Sequence, residues 1–121
     1  MPPRPKIVIL EDDEVFAALL AETLGEYYDV SVGTNGRQGL SLCLEGGVAA
    51  IVTDLVMPDL DGVQMLKEFR KDQRLASIPV LVVSASDFRE ELKKFPQVRG
   101  YFSKNETAQT IFQAVRRLVQ A

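Results

Sequence analysis

A chain of 121 residues, 46% apolar and 26% charged, has the make-up of one ordinary globular domain, and it can bury roughly two-thirds of its unfolded surface without staples. Its net charge of −3 excludes a general nucleic-acid binder, which needs a basic face, and the absence of histidine excludes imidazole metal sites and Ser-His or Cys-His nucleophiles. The single Cys43 cannot form an internal disulfide, no apolar run approaches the ~18–20 residues of a membrane span, and the run before EDDE is too short for a signal peptide, so a cytoplasmic location is expected.

A Pro-rich tail occupies residues 1–5, and Ile7–Leu10 is the first candidate strand. Uninterrupted aliphatic runs of this length suit a parallel sheet covered on both faces. Val15, Phe16, Leu19, Leu20, Thr23 and Leu24 then recur at helical spacing. Val30–Val32 is a short second strand after Tyr27-Tyr28-Asp29. The turn Asn35-Gly36 opens a second helix with Leu40, Cys43 and Leu44 on its apolar side, where Cys43 reads as a buried thiol. Ala50–Thr53 is the third strand and runs into Asp54. Asp59, after Pro58, is expected to face water. Asp61, with Gln64 three positions on, fits a capping box for a third helix carrying Val63, Leu66, Phe69 and Arg70. Val80–Val83 is the fourth strand. Phe88, Leu92 and Phe95 mark a short helix closed by Pro96, and Tyr101–Ser103 is a weaker fifth strand. Ile111, Val115, Leu118 and Val119 mark a last amphipathic helix. Strand and helix alternate five times. That order predicts one α/β domain over residues 1–121, with a parallel sheet, right-handed crossovers and helices on both faces.

Ligands of such open sheets bind outside the carboxyl ends of the strands. There the chain carries Glu11, Asp12, Asp13 and Glu14 after the first strand, Asp54 after the third, Ser84 after the fourth and Lys104 after the fifth. Singly each has an ordinary explanation: acids meet a helix dipole favourably, a serine caps a turn, a lysine is solvated. Jointly they gather carboxylates, a hydroxyl and an amine at one edge of the sheet. Crowded carboxylates call for a cation or a proton, and oxygen ligands without His or Cys suit Mg²⁺, Mn²⁺ or Ca²⁺. An Asp carboxylate can also accept a phosphoryl group as an acyl phosphate, with positive charge placed around the transferring group.

The segments KIVILEDDE, AAIVTDLVMPDLDG, IPVLVVSAS and GYFSK resemble the receiver domain of two-component response regulators, over nearly the whole chain. The spacings fit too: 42 residues from Asp12 to Asp54, 30 from Asp54 to Ser84 and 20 from Ser84 to Lys104. The D-x-x-M-P-x-x-D-G string from Asp54 to Gly62 is the specific element. The resemblance implies a flavodoxin-like fold with sheet order 2-1-3-4-5, an order that belongs to the family and does not follow from this chain's own spacing. It implies Asp54 as phosphoacceptor and Mg²⁺ (or Mn²⁺) as cofactor. Asp12 would be a direct metal ligand, Glu11 would act through metal-bound water, and Asp54 and the Val56 carbonyl would be further ligands. Ser84 would be the hydroxyl that turns toward the phosphoryl group, Lys104 its charge partner, and Tyr101 the aromatic whose rotamer tracks activation. A one-residue shift at the first strand would make the acid pair Asp12 and Asp13. The implied donor is a sensor histidine kinase or a histidine phosphotransfer protein, and the implied output is an unidentified partner or a phosphorylation-dependent dimer. Direct contact with nucleic acid or membrane is not implied. Such a domain catalyses its own phosphorylation and dephosphorylation and no other reaction. It can stand free or form part of a longer regulator or hybrid kinase.

Two departures from the family pattern bear on the site. Asn105 stands where Pro usually follows the lysine, so a trans bond, or a strained cis one, is expected. The stretch from Ser86 to Gly100 is short, which predicts a clipped helix between the fourth and fifth strands. Val56 and Ser86 lie two past Asp54 and Ser84, at positions that influence water attack on the acyl phosphate in receivers. Valine cannot align a water by hydrogen bonding, so slow hydrolysis is expected. Two other readings stay open: a phosphate-independent interaction module on the same fold, and an aspartyl-phosphate phosphohydrolase. The latter usually has a second Asp where Val56 stands, and a cap domain. A calcium loop starting at Met57 fails at its first ligand, where a thioether replaces a carboxylate.

Overall fold

The computed structural model describes residues 3–57 and 62–120. Five parallel strands, β1 (Lys6–Leu10), β2 (Asp29–Gly33), β3 (Val48–Thr53), β4 (Val80–Ser84) and β5 (Val98–Ser103), form one sheet in the order β2-β1-β3-β4-β5. Leu10 lies opposite Gly33 on one side and Thr53 on the other, and Ser84 lies opposite Ser103. β1, β2 and β3 therefore finish level, β4 and β5 run two residues further because Thr53 lies opposite Val82, and the carboxyl ends share one edge.

The alternating side chains of each strand divide the core in two. Val8, Leu10, Ile51, Val80 and Val82 face α2 (Gly36–Leu44), α3 (Gly62–Lys71), α4 (Gln73–Ala76) and α5 (Arg89–Leu92). Ile7, Ile9, Ala50, Val52, Leu81 and Val83 face α1 (Glu14–Gly25) and α6 (Ala108–Gln120). Helices thus cover both faces, as the unbroken apolar strands require.

The differences from the sequence reading are local. The helix α4 escaped it, because four residues are too few to show a period; the Asp72 side chain starts it by accepting from the Arg74 N–H at 2.8 Å. The helix between β4 and β5 is a single turn. Arg70 ties the segment after it to α3, donating to the Lys94 carbonyl at 3.0 Å and standing over the Phe95 ring at 5.1 Å. On α1 the apolar pattern overstates the buried face: Leu20 and Leu24 are buried, but Val15 is 81% exposed and Leu19 50%. Cys43 is buried, and desolvation pushes its thiol up to about 12, an inert group at neutral pH. The expected placement of Asp59, the Asp61 capping box and the middle of the rejected calcium loop fall outside the described residues. No helix among the described residues is long and apolar enough to cross a membrane.

Candidate functional site

Asp54 follows the last residue of β3, and its main-chain N–H donates to the Leu10 carbonyl at 2.9 Å. This extends the ladder by one residue and aims the carboxylate out of the sheet edge. The side chain is buried. Its Oδ1 accepts from the Leu55 N–H at 2.6 Å and the Val56 N–H at 3.2 Å, while Oδ2 faces the Lys104 amine at 2.8 Å.

Glu11 extends β1 in the same way, its N–H donating to the Gly33 carbonyl at 3.0 Å. Its carboxylate is buried and meets Lys104 Nζ at 2.7 Å through Oε1, while Oε2 accepts from the Asp13 N–H at 3.0 Å. The next residues separate by role. Asp12 is exposed but brings a carboxylate oxygen into a group with Glu11 and Asp54, all three lying within 4.8 Å of one another. Asp13 turns away to cap α1, its Oδ1 accepting from the N–H groups of Val15 at 3.0 Å and Phe16 at 3.2 Å. Glu11 and Asp12, not Asp12 and Asp13, therefore share the cleft with Asp54.

Lys104 crosses the β4 strand end to reach Asp54 and Glu11 together. Its main-chain N–H donates to the Ser84 carbonyl at 3.2 Å, and the Asn105 N–H donates to Ser103 Oγ at 3.1 Å. No cis peptide bond occurs among the described residues, so the bond before Asn105 is trans, and the amine enters the cleft all the same. The direct Glu11–Lys104 pair is a feature that sequence reasoning missed. Its only sequence signal is opposite charge at two strand ends.

Burial and charge pairing act against each other in the site. Burial pushes the Glu11 carboxyl above the ordinary carboxylate range, against the lowering effect of the Lys104 hydrogen bond. Burial pulls the Lys104 amine down, but its hydrogen bonds to Asp54 and Glu11 outweigh this and leave it above its usual value. A carboxyl raised by folding contributes stability that is present below its unfolded value of 4.5 and lost as pH rises through the folded value. Glu11→Gln is therefore expected to stabilise the metal-free protein at neutral pH, and the gain should vanish below about pH 4. Calorimetric unfolding across that range checks both halves.

The neighbouring strand end holds the remaining groups. Ser84 is buried, and its Oγ accepts from the Ser86 N–H at 3.2 Å. The Tyr101 hydroxyl donates to the Ser86 carbonyl and accepts from the Phe88 N–H at 3.3 Å. Val56 joins through its main chain, while its side chain stands 57% exposed. Hard oxygen ligands open to solvent through Asp12 fit a divalent cation that keeps some of its waters.

Comparison with known proteins agrees with this arrangement. The family model of the response regulator receiver domain matches residues 7–116. The chain is 28% identical to the chemotaxis protein CheY of Pseudomonas aeruginosa over 119 residues, spanning 95% of this chain and 96% of that protein. A sensor protein from Polaromonas sp. JS666 superposes with a TM-score of 0.81 at 29% identity, covering 98% of both chains. The receiver domain of a sensor histidine kinase from Pseudomonas aeruginosa, solved with a magnesium ion coordinated in its active site cleft, superposes with a TM-score of 0.84 at 21% identity, over 98% of this chain and 99% of that one. At that last identity the likeness concerns the fold alone. The match over residues 7–116, carried on a five-stranded 2-1-3-4-5 sheet with its acids at the strand ends, makes this chain a member of the response regulator receiver domain family of two-component signalling.

Proposed function

We propose that Asp54 accepts a phosphoryl group from a phosphohistidine, on a sensor kinase or a histidine phosphotransfer protein, and that the acyl phosphate shifts the domain between two conformations. One observation carries this reading: the Lys104 amine bridges Glu11 and Asp54 at 2.7 and 2.8 Å, beside three carboxylates gathered within 4.8 Å. Nucleophile, metal ligands and a balancing cation thus converge from three strand ends. In the transfer, an oxygen of Asp54 forms a bond to phosphorus as the P–N bond to the donor imidazole breaks. The imidazole nitrogen keeps the electron pair and takes up a proton.

Glu11, Asp12, Asp54 and the Val56 carbonyl are the groups that would hold Mg²⁺ or Mn²⁺. Such a cation supplies positive charge beside the phosphoryl oxygens. Lys104 supplies the second positive charge, moving from the carboxylates to a phosphoryl oxygen. Ser84 donates to another, and in turning it releases the Ser86 N–H it now accepts from. The Ser86 carbonyl holds the Tyr101 hydroxyl, so the same loop links phosphorylation to the aromatic. The test is incubation with acetyl phosphate and Mg²⁺, which is expected to add one phosphoryl group to the intact mass. A protein that stays unmodified and binds no Mg²⁺ would instead favour the phosphate-independent module.

Val56 bears on lifetime. An exposed valine beside the phosphoacceptor offers no hydrogen bond to an attacking water. Val56→Asn is expected to speed loss of the phosphoryl group by roughly tenfold, the effect of one hydrogen bond of about 1.4 kcal/mol made in the transition state. Timed intact-mass spectra after removal of donor check it. Loss from the unsubstituted protein within seconds would rule out the slow hydrolysis assigned to Val56.

A further inference from the structure

We propose that Phe16 is a positioning residue for Lys104, its ring holding the ammonium in the cleft. This deepens the reading of Asp54 as phosphoacceptor and rests on it. Lys104 Nζ stands 5.4 Å from the centre of the Phe16 ring while contacting Glu11 and Asp54. An ammonium within about 6 Å of a ring centroid is attracted to the negative face of the ring, more so when partly desolvated. The Lys104 side chain is 23% exposed, so water surrounds only part of it.

The ring is placed by the site's own elements. Phe16 lies in the first turn of α1, where its N–H donates to the capping Asp13 Oδ1 at 3.2 Å. Its side chain packs against the cluster that contains Ile9, Leu20 and Val83. The acidic run EDDE therefore contributes twice. Glu11 and Asp12 enter the cleft, and Asp13 sets the turn that brings an aromatic over the amine. On the opposite side, Lys104 is followed by a trans peptide bond and by Asn105. The side chain has four methylenes to order, and such stems lose substantial rotamer freedom when fixed. The anions fix the end of the stem in the resting state. When they are taken up by a cation, the ring is the contact that keeps the amine near the transferring group.

The experiment has two arms. In the first, the ε-methylene protons of Lys104 are observed by NMR. In the wild type they are expected upfield of ordinary lysine positions through the ring current of Phe16. Phe16→Leu, which keeps an apolar side chain, should return them, and Phe16→Tyr should retain the shift. In the second arm, phosphorylation by acetyl phosphate at saturating Mg²⁺ is timed. Phe16→Leu is expected to slow it about three- to tenfold, the range of one partly desolvated cation–π contact. Phe16→Tyr should restore the rate, and Phe16→Leu should have no further effect once Lys104→Met is present. Ordinary ε-proton positions in the wild type overturn the proposal, as does an equal slowing in the Lys104→Met background, because a purely structural role would act with or without the amine. If the wild type takes no phosphoryl group, the assignment of Asp54 fails, while the ring-current arm still decides where Phe16 places Lys104.

Discussion

Asp54→Asn is expected to remain unmodified under conditions in which the wild type gains one phosphoryl group from acetyl phosphate and Mg²⁺. The substitution is well suited to separate chemistry from folding. An asparagine oxygen can still accept from the Leu55 and Val56 N–H groups that now hold Oδ1 at 2.6 and 3.2 Å, so the turn after β3 keeps its anchor. Lys104 keeps Glu11 as its partner at 2.7 Å. What disappears is the anionic oxygen facing the amine, which is both nucleophile and metal ligand in the proposed reaction. The variant should therefore fold, bind Mg²⁺ more weakly and take no phosphoryl group. Intact mass measures the transfer, and unfolding curves confirm the fold. A variant that gains the same mass as the wild type would move the nucleophile away from Asp54.

Gly62→Ala is expected to cost about 2–3 kcal/mol, as overpacking does, although alanine is the better helix former by roughly 1 kcal/mol. A Cβ at Gly62 would stand 2.5 Å from Leu55 Cα, 2.7 Å from Leu55 Cδ2 and 2.9 Å from the Asp54 carbonyl oxygen. Two of these are main-chain atoms, so no rotamer change relieves the contact. The Gly62 N–H also donates to the Leu55 carbonyl at 3.0 Å, which pins α3 against the turn after β3. Either the start of α3 or the Asp54–Leu55 peptide must move. The second would disturb the Leu55 N–H that holds Asp54, so phosphorylation should slow as well. Thermal unfolding is expected to fall by on the order of 10 °C. Gly25→Ala is the matching control: an added methyl there meets nothing within 4 Å, and the unfolding temperature should hold or rise slightly. Equal behaviour of the two variants would show that the close approach at Gly62 is not what requires glycine.

Much of the arrangement was legible because the residues that carry it are local in the chain. β1, β3 and β4 are built on short aliphatic runs and β5 on the weaker Tyr101–Ser103 run, and what stands just past each run is bound to appear at the sheet edge. Asp54, Ser84 and Lys104 were found in that way. The D-x-x-M-P-x-x-D-G string added the family and with it the sheet order, which alternation of strand and helix leaves undetermined. Where periodicity was the only guide, it erred in understandable places. It put Val15 and Leu19 on the buried side of α1, because a helix flanked by a sheet and by solvent leaves its boundary positions undecided. It passed over α4, whose single turn is made by a cap and not by a pattern.

By itself, then, the sequence determined the layered α/β architecture, the edge of the sheet where Asp54, Ser84 and Lys104 gather, and the acid that follows the third strand. All follow from apolar runs and their immediate neighbours. Only the tertiary structure decided how the charges are shared. The ladder contact of the Glu11 N–H with Gly33 turns Glu11 inward and leaves Asp13 to cap α1, a choice between adjacent acids that composition cannot make. The Lys104 amine reaches Glu11 and Asp54 together because the order β1-β3-β4-β5 brings these strand ends to one edge, with β5 running two residues past β3. Phe16, an ordinary core residue by its spacing, comes over that amine because α1 starts beside the strand end to which Lys104 crosses. Contacts of this kind join residues dozens of positions apart. Their existence depends on strand order and register, which belong to the fold as a whole and not to any segment of it.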